Sequence, residues 1–185
     1  DLHASLAPSE MCIRDRICPL RPLARGFSMV ILCKGGPMDC VFCAIAERRL
    51  PAHRLYEDDD FIVLLDIFPM RPAHVLIVSR RHAPFLRDLP PAVRERLLAL
   101  AERIAAALRE AGFGKNGINL LINDGPDSNQ HVPHLHLHLI PRRPGDLPAL
   151  LWRLLVRFLP IGRKRIEARL QDEAERLRLI LGKEN

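Results

Sequence analysis

The spacing of apolar residues between positions 38 and 146 predicts short strands together with helices. The segment CVFCAIAERRL predicts a short helix, and HRLYEDDDFIVLLDI predicts two strands around the acidic turn of Asp58, Asp59 and Asp60. The segment AHVLIVS is a compact apolar run of strand length. The first half of this region therefore predicts one helix followed by three strands.

A long helix is predicted over LPPAVRERLLALAERIAAALREAGFG, because prolines stand at its start and Gly112 near its end. Apolar residues recur there at helical spacing, namely Val93, Leu97, Leu100, Ile104 and Leu108. The segments GINLLIN and HVPHLHLHLI predict two further strands, separated by the loop DGPDSNQ. These elements together predict an α+β domain over residues 38–146.

The two ends of the chain have different patterns. Residues 1–37 show neither helical nor strand periodicity and are predicted to be a disordered or non-native extension, with native folding information beginning near Met38. Residues 147–185 predict a helical extension, in which PIGR divides two helices that pack on the core or across a dimer interface. A basic amphipathic membrane contact is the weaker alternative, and it would use Trp152, Arg153, Arg157 and Phe158.

The net charge of +6 comes from the ends of the chain. Residues 38–146 carry 14 Lys and Arg against 14 Asp and Glu, so charge gives no reason to expect a specific nucleic-acid partner. Five cysteines, an odd number, do not suggest a secreted disulfide scaffold. No apolar run approaches the roughly 18 residues of a membrane-spanning helix, so a reducing, cytoplasmic location is expected.

Three histidines alternate along the last predicted strand. Because alternate side chains of a strand share a face, His134, His136 and His138 project together, and the leucines between them enter the core. A solvated face, a metal site and a nucleophilic imidazole all fit this pattern. The preceding loop favours a nucleophile that attacks phosphate, since Gly125 and exposed backbone amides can bind an anion.

Two separated segments carry a resemblance to a known family. HVPHLHLHLIPRRPGD matches the alternating pattern of the histidine-triad (HIT) nucleotide hydrolases and transferases, and MDCVFCAIAERRLPAHRLYEDDDFIVLLDIFPMRPAHVLIVSRRH resembles the first half of a bacterial member. The resemblance covers residues 38–146. It implies an α+β fold with an antiparallel sheet of about five strands under a long helix. It also implies a homodimer that binds purine nucleotides and attacks their α-phosphate.

The resemblance assigns roles to individual residues. It makes His136 the nucleophile, His138 the group that hydrogen-bonds the phosphate and assists the leaving group, and His74 a neighbour that orients the nucleophile. Asp66 falls at the position of a ribose-hydroxyl acceptor. Further contacts on the phosphate or leaving-group side are expected from Asn123, Gln130 and His131. His131 is a departure, since many relatives have Ser or Thr there.

The pair Cys40 and Cys43 allows three interpretations: a redox couple, half of a zinc site or two buried thiols. A redox couple is the weakest of these, because no thioredoxin-like context surrounds the pair. The resemblance implies that the two cysteines bind a structural zinc ion together with His82 and His134. Such a Cys₂His₂ set leaves no open position, and no catalytic metal is expected in the reaction.

The resemblance therefore predicts a hydrolase for nucleoside phosphoramidates or dinucleoside polyphosphates. A nucleotidyl-His136 intermediate would form, and water would release the nucleoside monophosphate. Two alternatives stay open. A nucleotidyltransferase is disfavoured because Leu135 stands where the related uridylyltransferases have proline. A non-catalytic nucleotide-binding or zinc-binding module would bind the nucleotide without cleaving it.

Overall fold

A computed structural model describes residues 40–156 and 163–182. Every described residue belongs to one compact unit of the chain, Cys33–Asn185. The extension predicted over residues 1–37 lies outside the described residues, so that part of the predicted domain organisation stays a prediction. Among the described residues, no helix has the length and apolar character needed to cross a membrane.

The elements follow the predicted order along the chain. Five strands form, with the bounds β1 Arg54–Glu57, β2 Phe61–Leu65, β3 Val75–Ser79, β4 Ile118–Ile122 and β5 His136–Pro141. Four helices accompany them in the described part of the chain, with the bounds α1 Val41–Ala46, α2 Pro91–Glu110, α3 Leu147–Val156 and α4 Arg163–Leu181. The α+β prediction is therefore confirmed.

Local sequence explains several of these boundaries. The Asp58 side chain accepts hydrogen bonds from the backbone of Asp60 and Phe61 at 2.9 and 2.7 Å, which closes the acidic turn between β1 and β2. Pro91 occupies the first turn of α2, where its missing N–H costs no helical hydrogen bond. Gly112 follows that helix with a φ of +85°, a left-handed conformation that glycine adopts without strain.

The sheet has the order β1-β2-β3-β5-β4, and all neighbouring strands are antiparallel. One face packs against α2 and α4 in the main core, which includes Leu135, Leu137 and Leu139. The other face carries a smaller apolar cluster, in which residues of α1 meet β2 and β3. The histidines of β5 face this second side. The predicted alternation therefore places the leucines of β5 in the main core and the histidines on the opposite face of the sheet.

Strand β5 is shorter than HVPHLHLHLI predicts, because it begins at His136. Pro133 has no backbone N–H to donate, so the chain before His136 is irregular. The backbone N–H of His134 instead donates to the Val132 carbonyl at 2.8 Å. Leu135 is 1% exposed and still enters the core, so the alternation extends beyond the strand itself.

The two C-terminal helices differ in their packing. Helix α4 packs on β1 and α2 and buries Leu170, Leu177 and Leu181. Helix α3 leaves Trp152 63% exposed. The predicted membrane contact also depends on Arg157 and Phe158, which lie outside the described residues, so it stays a prediction.

Candidate functional site

Strand β5 and the residue pair just before it carry the three histidines of the site. His136 lies opposite Val78 and His138 opposite Leu76 in the antiparallel pairing with β3. The side chains of His134, His136 and His138 are all buried. Buried imidazoles need hydrogen-bond partners, and the partners decide which ring nitrogen remains for chemistry.

His134 and His136 use opposite ring nitrogens to bind the backbone. In His134, Nε2 lies 2.7 Å from the Ser79 carbonyl oxygen. In His136, Nδ1 lies 2.7 Å from the carbonyl oxygen of His134. A carbonyl only accepts, so each of these nitrogens carries a proton. The neutral rings therefore have their lone pairs on Nδ1 of His134 and on Nε2 of His136.

The Nδ1 atom of His134 faces two thiols. It lies 3.3 Å from Sγ of Cys40 and 3.6 Å from Sγ of Cys43. Nδ1 of His82 lies 3.3 Å from Sγ of Cys43. The four predicted metal ligands thus meet, and their ligand atoms all lie within 4.8 Å of one another. Two thiols and two imidazoles are the donor set of a closed tetrahedral zinc site, so the residues fit this metal.

Burial shifts the pKa values of two ligands in this metal-ligand cluster. Burial, together with neighbouring Cys40, raises the pKa of the Cys43 thiol to about 12. Burial lowers the pKa of His134 to about 4, so its ring is neutral at neutral pH. A bound divalent cation would replace the thiol protons, because a coordinating thiol is deprotonated. The neutral His134 ring already offers a lone pair towards the thiols.

A second group of titratable side chains forms a chain of contacts. Nδ1 of His74 lies 3.2 Å from Oδ2 of Asp66, and Nε2 of His74 lies 3.0 Å from Nδ1 of His138. All three residues are buried. The chain leads from a carboxylate through one imidazole to another, and the second imidazole belongs to the predicted phosphate site.

The Nδ1 atom of His74 has two neighbours with opposite requirements. The Met70 backbone N–H lies 3.3 Å away and needs an acceptor, whereas the Asp66 carboxylate at 3.2 Å needs a donor. One nitrogen cannot serve both, and a hydrogen bond to a charged acceptor is the stronger of the two. We therefore place a proton on Nδ1 of His74, where it is shared with Asp66.

His136 lies between these two groups. Its ring centroid is 4.8 Å from that of His138 and 5.0 Å from that of Phe42 on α1. Phe42 also contacts the ring of His134 at 5.6 Å. An aromatic side chain therefore packs between the metal-ligand cluster and the predicted nucleophile. Nε2 of His74 contacts the His138 ring, which neighbours the His136 ring, and the role of His74 in orienting the nucleophile stays a prediction.

The remaining residues predicted to contact the nucleotide differ in their burial and in their contacts within the protein. Asn123 is half-buried directly after β4, and His131 is exposed. Both ends of the Gln130 amide are engaged within the protein: Oε1 accepts from Gly125 N–H at 3.0 Å, and Nε2 donates to the Pro84 carbonyl at 2.7 Å. Gln130 therefore joins the 125–130 loop to the segment after β3. Asn129 adopts a left-handed φ of 68° in this loop.

Some residues beside the site were missed by the sequence pattern. Arg71 Nε lies 3.2 Å from Asp146 Oδ2, and the buried Glu173 accepts a hydrogen bond from the Ala73 backbone N–H at 2.9 Å. Burial raises the pKa of the Glu173 carboxyl. One signal was present: Glu173 stands three residues after Leu170 and four before Leu177, on the buried face of its helix.

Comparison with known proteins places this geometry in context. The family described as the HIT domain matches residues 47–145. An uncharacterised HIT-like protein of Mycobacterium tuberculosis is 38% identical over 141 residues, which cover 74% of this chain and 97% of that protein. A solved structure, described as a Zn-bound histidine triad family protein from Mycobacterium smegmatis, is 38% identical with a TM-score of 0.62. It covers 80% of this chain and 96% of its own.

Two relatives with named activities match a shorter part of the chain. The adenylylsulfatase HINT3 of Arabidopsis thaliana is 38% identical over 108 residues, 58% of this chain and 54% of that protein. The adenosine 5'-monophosphoramidase HNT1 of Saccharomyces cerevisiae is 34% identical over 104 residues, 56% of this chain and 63% of that protein. The domain match together with the extent of the mycobacterial similarity shows that the chain belongs to the HIT domain family.

Proposed function

We propose that this protein is a hydrolase that cleaves purine nucleotides at the α-phosphate through a nucleotidyl-histidine intermediate. The observation that carries the proposal is the 2.7 Å contact between Nδ1 of His136 and the His134 carbonyl. This contact keeps the proton on Nδ1 and leaves the Nε2 lone pair for attack on phosphorus. The backbone thus holds the nucleophilic ring in the tautomer that the reaction needs.

The proposed reaction has two displacements. Nε2 of His136 attacks the α-phosphorus, a P–N bond forms, and the bond from phosphorus to the leaving group breaks. Water then attacks the same phosphorus, the P–N bond breaks, and the nucleoside monophosphate leaves. Dividing one displacement into two replaces a difficult step with two easier ones.

The leaving group needs a proton when it departs as an amine. The chain of Asp66, His74 and His138 supplies a route for that proton, because adjacent ring nitrogens lie 3.0 Å apart. In the reacting state we place protons on both ring nitrogens of His74, with the positive charge beside the Asp66 carboxylate. As Nε2 of His138 gives its proton to the departing group, Nδ1 of His138 takes the Nε2 proton of His74. The water that attacks in the second displacement returns a proton along the same route. His138 also hydrogen-bonds the phosphoryl oxygens as their charge develops.

Asp66 keeps its proposed contact with the ribose hydroxyls. Its Oδ1 already accepts from the Phe68 backbone N–H at 2.8 Å, and Oδ2 faces His74. A carboxylate oxygen can accept from a sugar hydroxyl as well as from a protein donor, so these contacts are compatible with the ribose role. Asn123 and His131 stay proposed contacts on the phosphate side, whereas Gln130 supports that side by holding its loop.

The names of the two relatives support a common substrate feature. An adenylylsulfatase and an adenosine monophosphoramidase both act on an adenylyl α-phosphate, and their leaving groups are sulfate and an amine. We infer that this protein likewise recognises the nucleoside monophosphate half and tolerates different leaving groups. Phosphoramidates and dinucleoside polyphosphates are the proposed classes.

We also propose a structural zinc ion held by Cys40, Cys43, His82 and His134. The support is the closeness of four ligand atoms of the right chemical types and the Zn-bound state of the M. smegmatis relative. Zinc bound there would join helix α1 to the segments after β3 and before β5, which stabilises the fold around the site. It supplies no step of the proposed hydrolysis, because all four protein ligands close the site.

A homodimer is proposed through strand β4, which is an edge strand of the sheet that the described residues form and pairs there with β5. Leu120 and Leu121 on this edge strand are 49% and 45% exposed, which is unusual for an unprotected edge. A second copy would cover them. Sedimentation should give a dimer for the wild type and a monomer for Leu121→Lys. The control is Leu179→Lys, at an exposed position of α4 away from β4.

The function is tested by incubating the protein with an adenosine phosphoramidate, adenylyl sulfate and a diadenosine polyphosphate. Wild type should release AMP from at least one of them, and His136→Ala should lose at least about 10⁴-fold in turnover. Mass spectrometry of the quenched wild type should show a nucleotidyl adduct on the peptide that contains His136. His53→Ala is the matched control, because this histidine lies beside β1 and pairs with Glu167.

Three results would overturn the hydrolase proposal. Full turnover by His136→Ala would exclude the assigned nucleophile. Binding of AMP with no cleavage of any substrate would indicate the non-catalytic binding module. Faster transfer of the nucleotide to phosphate or a sugar phosphate than to water would indicate a nucleotidyltransferase.

A further inference from the structure

The contacts from Asp66 through His74 to His138 are called the proton chain below. The loop between β2 and β3 carries two of its members, Asp66 at the start of the loop and His74 at the end. The backbone N–H of Asp66 donates to the His74 carbonyl at 2.9 Å, which closes the base of the loop. Inside the loop, Ala73 directly precedes His74 and has a φ of 55°. This left-handed conformation is unfavourable for a residue with a side chain, so neighbouring contacts must hold it.

One such contact comes from helix α4, one hundred residues further along the chain. Oε2 of Glu173 accepts a hydrogen bond from the Ala73 N–H at 2.9 Å, and Oε1 lies 3.2 Å from Nε of Arg169. Glu173 is 3% exposed and Ala73 is completely buried. Water therefore cannot readily replace this acceptor, and without it the Ala73 N–H would be buried and unsatisfied.

The consequence for the site follows from the chain order. His74 directly follows Ala73, so the backbone conformation of Ala73 sets the direction of the His74 side chain. The His74 ring must meet both Asp66 and His138 at about 3 Å for the proton chain to be continuous. A small rotation at Ala73 would break one of these contacts.

We propose that Glu173 is a positioning residue for catalysis, which orients His74 by holding the left-handed peptide of Ala73. Helix α4 lies beyond the matched HIT domain, residues 47–145, so this extension takes part in building the active site. This role rests on the proposed hydrolase function. Its test therefore includes a measurement that does not depend on turnover.

The decisive pair of variants is Glu173→Met and Glu173→Gln. Both remove the charge and keep a side chain of similar length, but only glutamine retains an oxygen that accepts from the Ala73 N–H. Glu175→Gln is the control, because Glu175 is exposed on the same helix. Thermal unfolding and zinc content are measured for each protein, and all kinetics are recorded below the unfolding transition.

We expect Glu173→Met to reduce kcat by roughly 10- to 100-fold with little change in KM, as a displaced catalytic group does. Glu173→Gln should recover most of that loss, and Glu175→Gln should match the wild type. NMR of the histidine rings should show altered ring-nitrogen signals for His74 and His138 in Glu173→Met alone. The rings report this change even if none of the offered substrates is cleaved.

Two outcomes would overturn the positioning role. Unchanged His74 and His138 signals together with a wild-type kcat in Glu173→Met would show that the Ala73 contact does not govern the site. A Glu173→Met protein that fails to fold at any temperature would show that Glu173 serves the fold as a whole. Changed ring signals in Glu173→Met, together with a wild type that cleaves none of the substrates, would keep the positioning role and reject the hydrolase proposal.

Discussion

Two clusters of buried side chains meet at the start of β5, and they use histidine in opposite ways. In the metal-ligand cluster the backbone binds Nε2 of His134, and Nδ1 points at the thiols of Cys40 and Cys43. In the proton chain both nitrogens of His74 contact other side chains, Asp66 and His138. In the first cluster the lone pairs of the ligand atoms point to one place. In the second, each side chain contacts the next, so a proton can move along the line.

The difference shows that residue type alone does not set the chemistry of a histidine. His134 and His136 are two residues apart, face the same side of the sheet and are both buried. A backbone carbonyl accepts a hydrogen bond from Nε2–H in His134 and from Nδ1–H in His136. The first ring is therefore prepared for a metal and the second for attack on phosphorus. Variants that damage one cluster should leave the other one intact.

The largest effect expected from separating the two clusters concerns the proton chain and the identity of the leaving group. His138→Ala removes the group that passes a proton to the leaving group, so turnover of an adenosine phosphoramidate should fall by roughly 10²- to 10⁴-fold. Sulfate departs as a stable anion and needs no proton. Cleavage of adenylyl sulfate should therefore fall much less, and the two rates are compared by following AMP release.

Zinc content tests whether the proton chain can be damaged without affecting the metal-ligand cluster. His138→Ala should bind as much zinc as the wild type, because His138 is not among the four ligands that meet. Equal losses with both substrates would contradict the proton-transfer role and favour a role in binding the phosphate alone. His53→Ala, at a histidine remote from β5, should cleave both substrates at the wild-type rate.

The second expected effect concerns the metal-ligand cluster. Cys43→Ala removes one of four ligands from a buried site, so stoichiometric zinc should be lost. The free energy of unfolding should fall by more than about 2 kcal/mol, because metal binding is coupled to folding. Elemental analysis and denaturant unfolding measure the two quantities. The folded fraction should still hydrolyse substrate, since the nucleophile and the proton chain are intact.

A matched variant distinguishes this site from general cysteine effects. Cys33→Ala removes a thiol outside the predicted ligand set and should retain zinc. Retention of one zinc per chain by Cys43→Ala would exclude the proposed ligand set. Complete loss of turnover by folded Cys43→Ala would show that the two clusters are more tightly coupled than their hydrogen bonds indicate.

The sequence predicted most of the fold because its signals are local. The alternation of leucine and histidine along β5 and the spacing of apolar residues along α2 both report which side of an element faces the core. The metal ligands were also predictable, but only through the family resemblance, since Cys43 and His134 lie 91 residues apart. Nothing in a short window of sequence brings them together.

Other parts of the site depend on contacts that periodicity does not report. The choice of ring nitrogen in His134 depends on the Ser79 carbonyl, which the fold brings near from β3. The role of Gln130 depends on the Pro84 carbonyl, and that of Glu173 on the Ala73 N–H. Each is a side chain bound to a backbone group far away in the chain. Such pairs follow from the tertiary fold, so a reading of local patterns misses them.

The smallest expected effect concerns Asp146, which helps to hold the loop of the proton chain. Oδ2 of Asp146 lies 3.2 Å from Nε of Arg71 in that loop. Hydrogen bonds from Arg142 lower the pKa of the Asp146 carboxyl from 3.8 to about 2, and the Arg143 N–H and the charge of Arg71 act in the same direction. The folded state therefore favours the ionised carboxylate more strongly than the unfolded state does.

The sign of the pH dependence follows from this lowered pKa. The stability from Asp146 is fully present above its unfolded pKa near 3.8 and is lost as the pH falls through about 2. Asp146→Asn should therefore lower the free energy of unfolding by about 1 kcal/mol at neutral pH, and its difference from the wild type should shrink in acid. Acid also protonates the metal ligands in both proteins, so the difference between the two denaturation curves is the quantity to follow. Asp172→Asn, at an exposed position on α4, should show no such trend. A difference that stays constant from neutral pH to about pH 2 would show that Asp146 acts through packing rather than through its charge, and the Arg71 ion pair would then not hold the proton-chain loop.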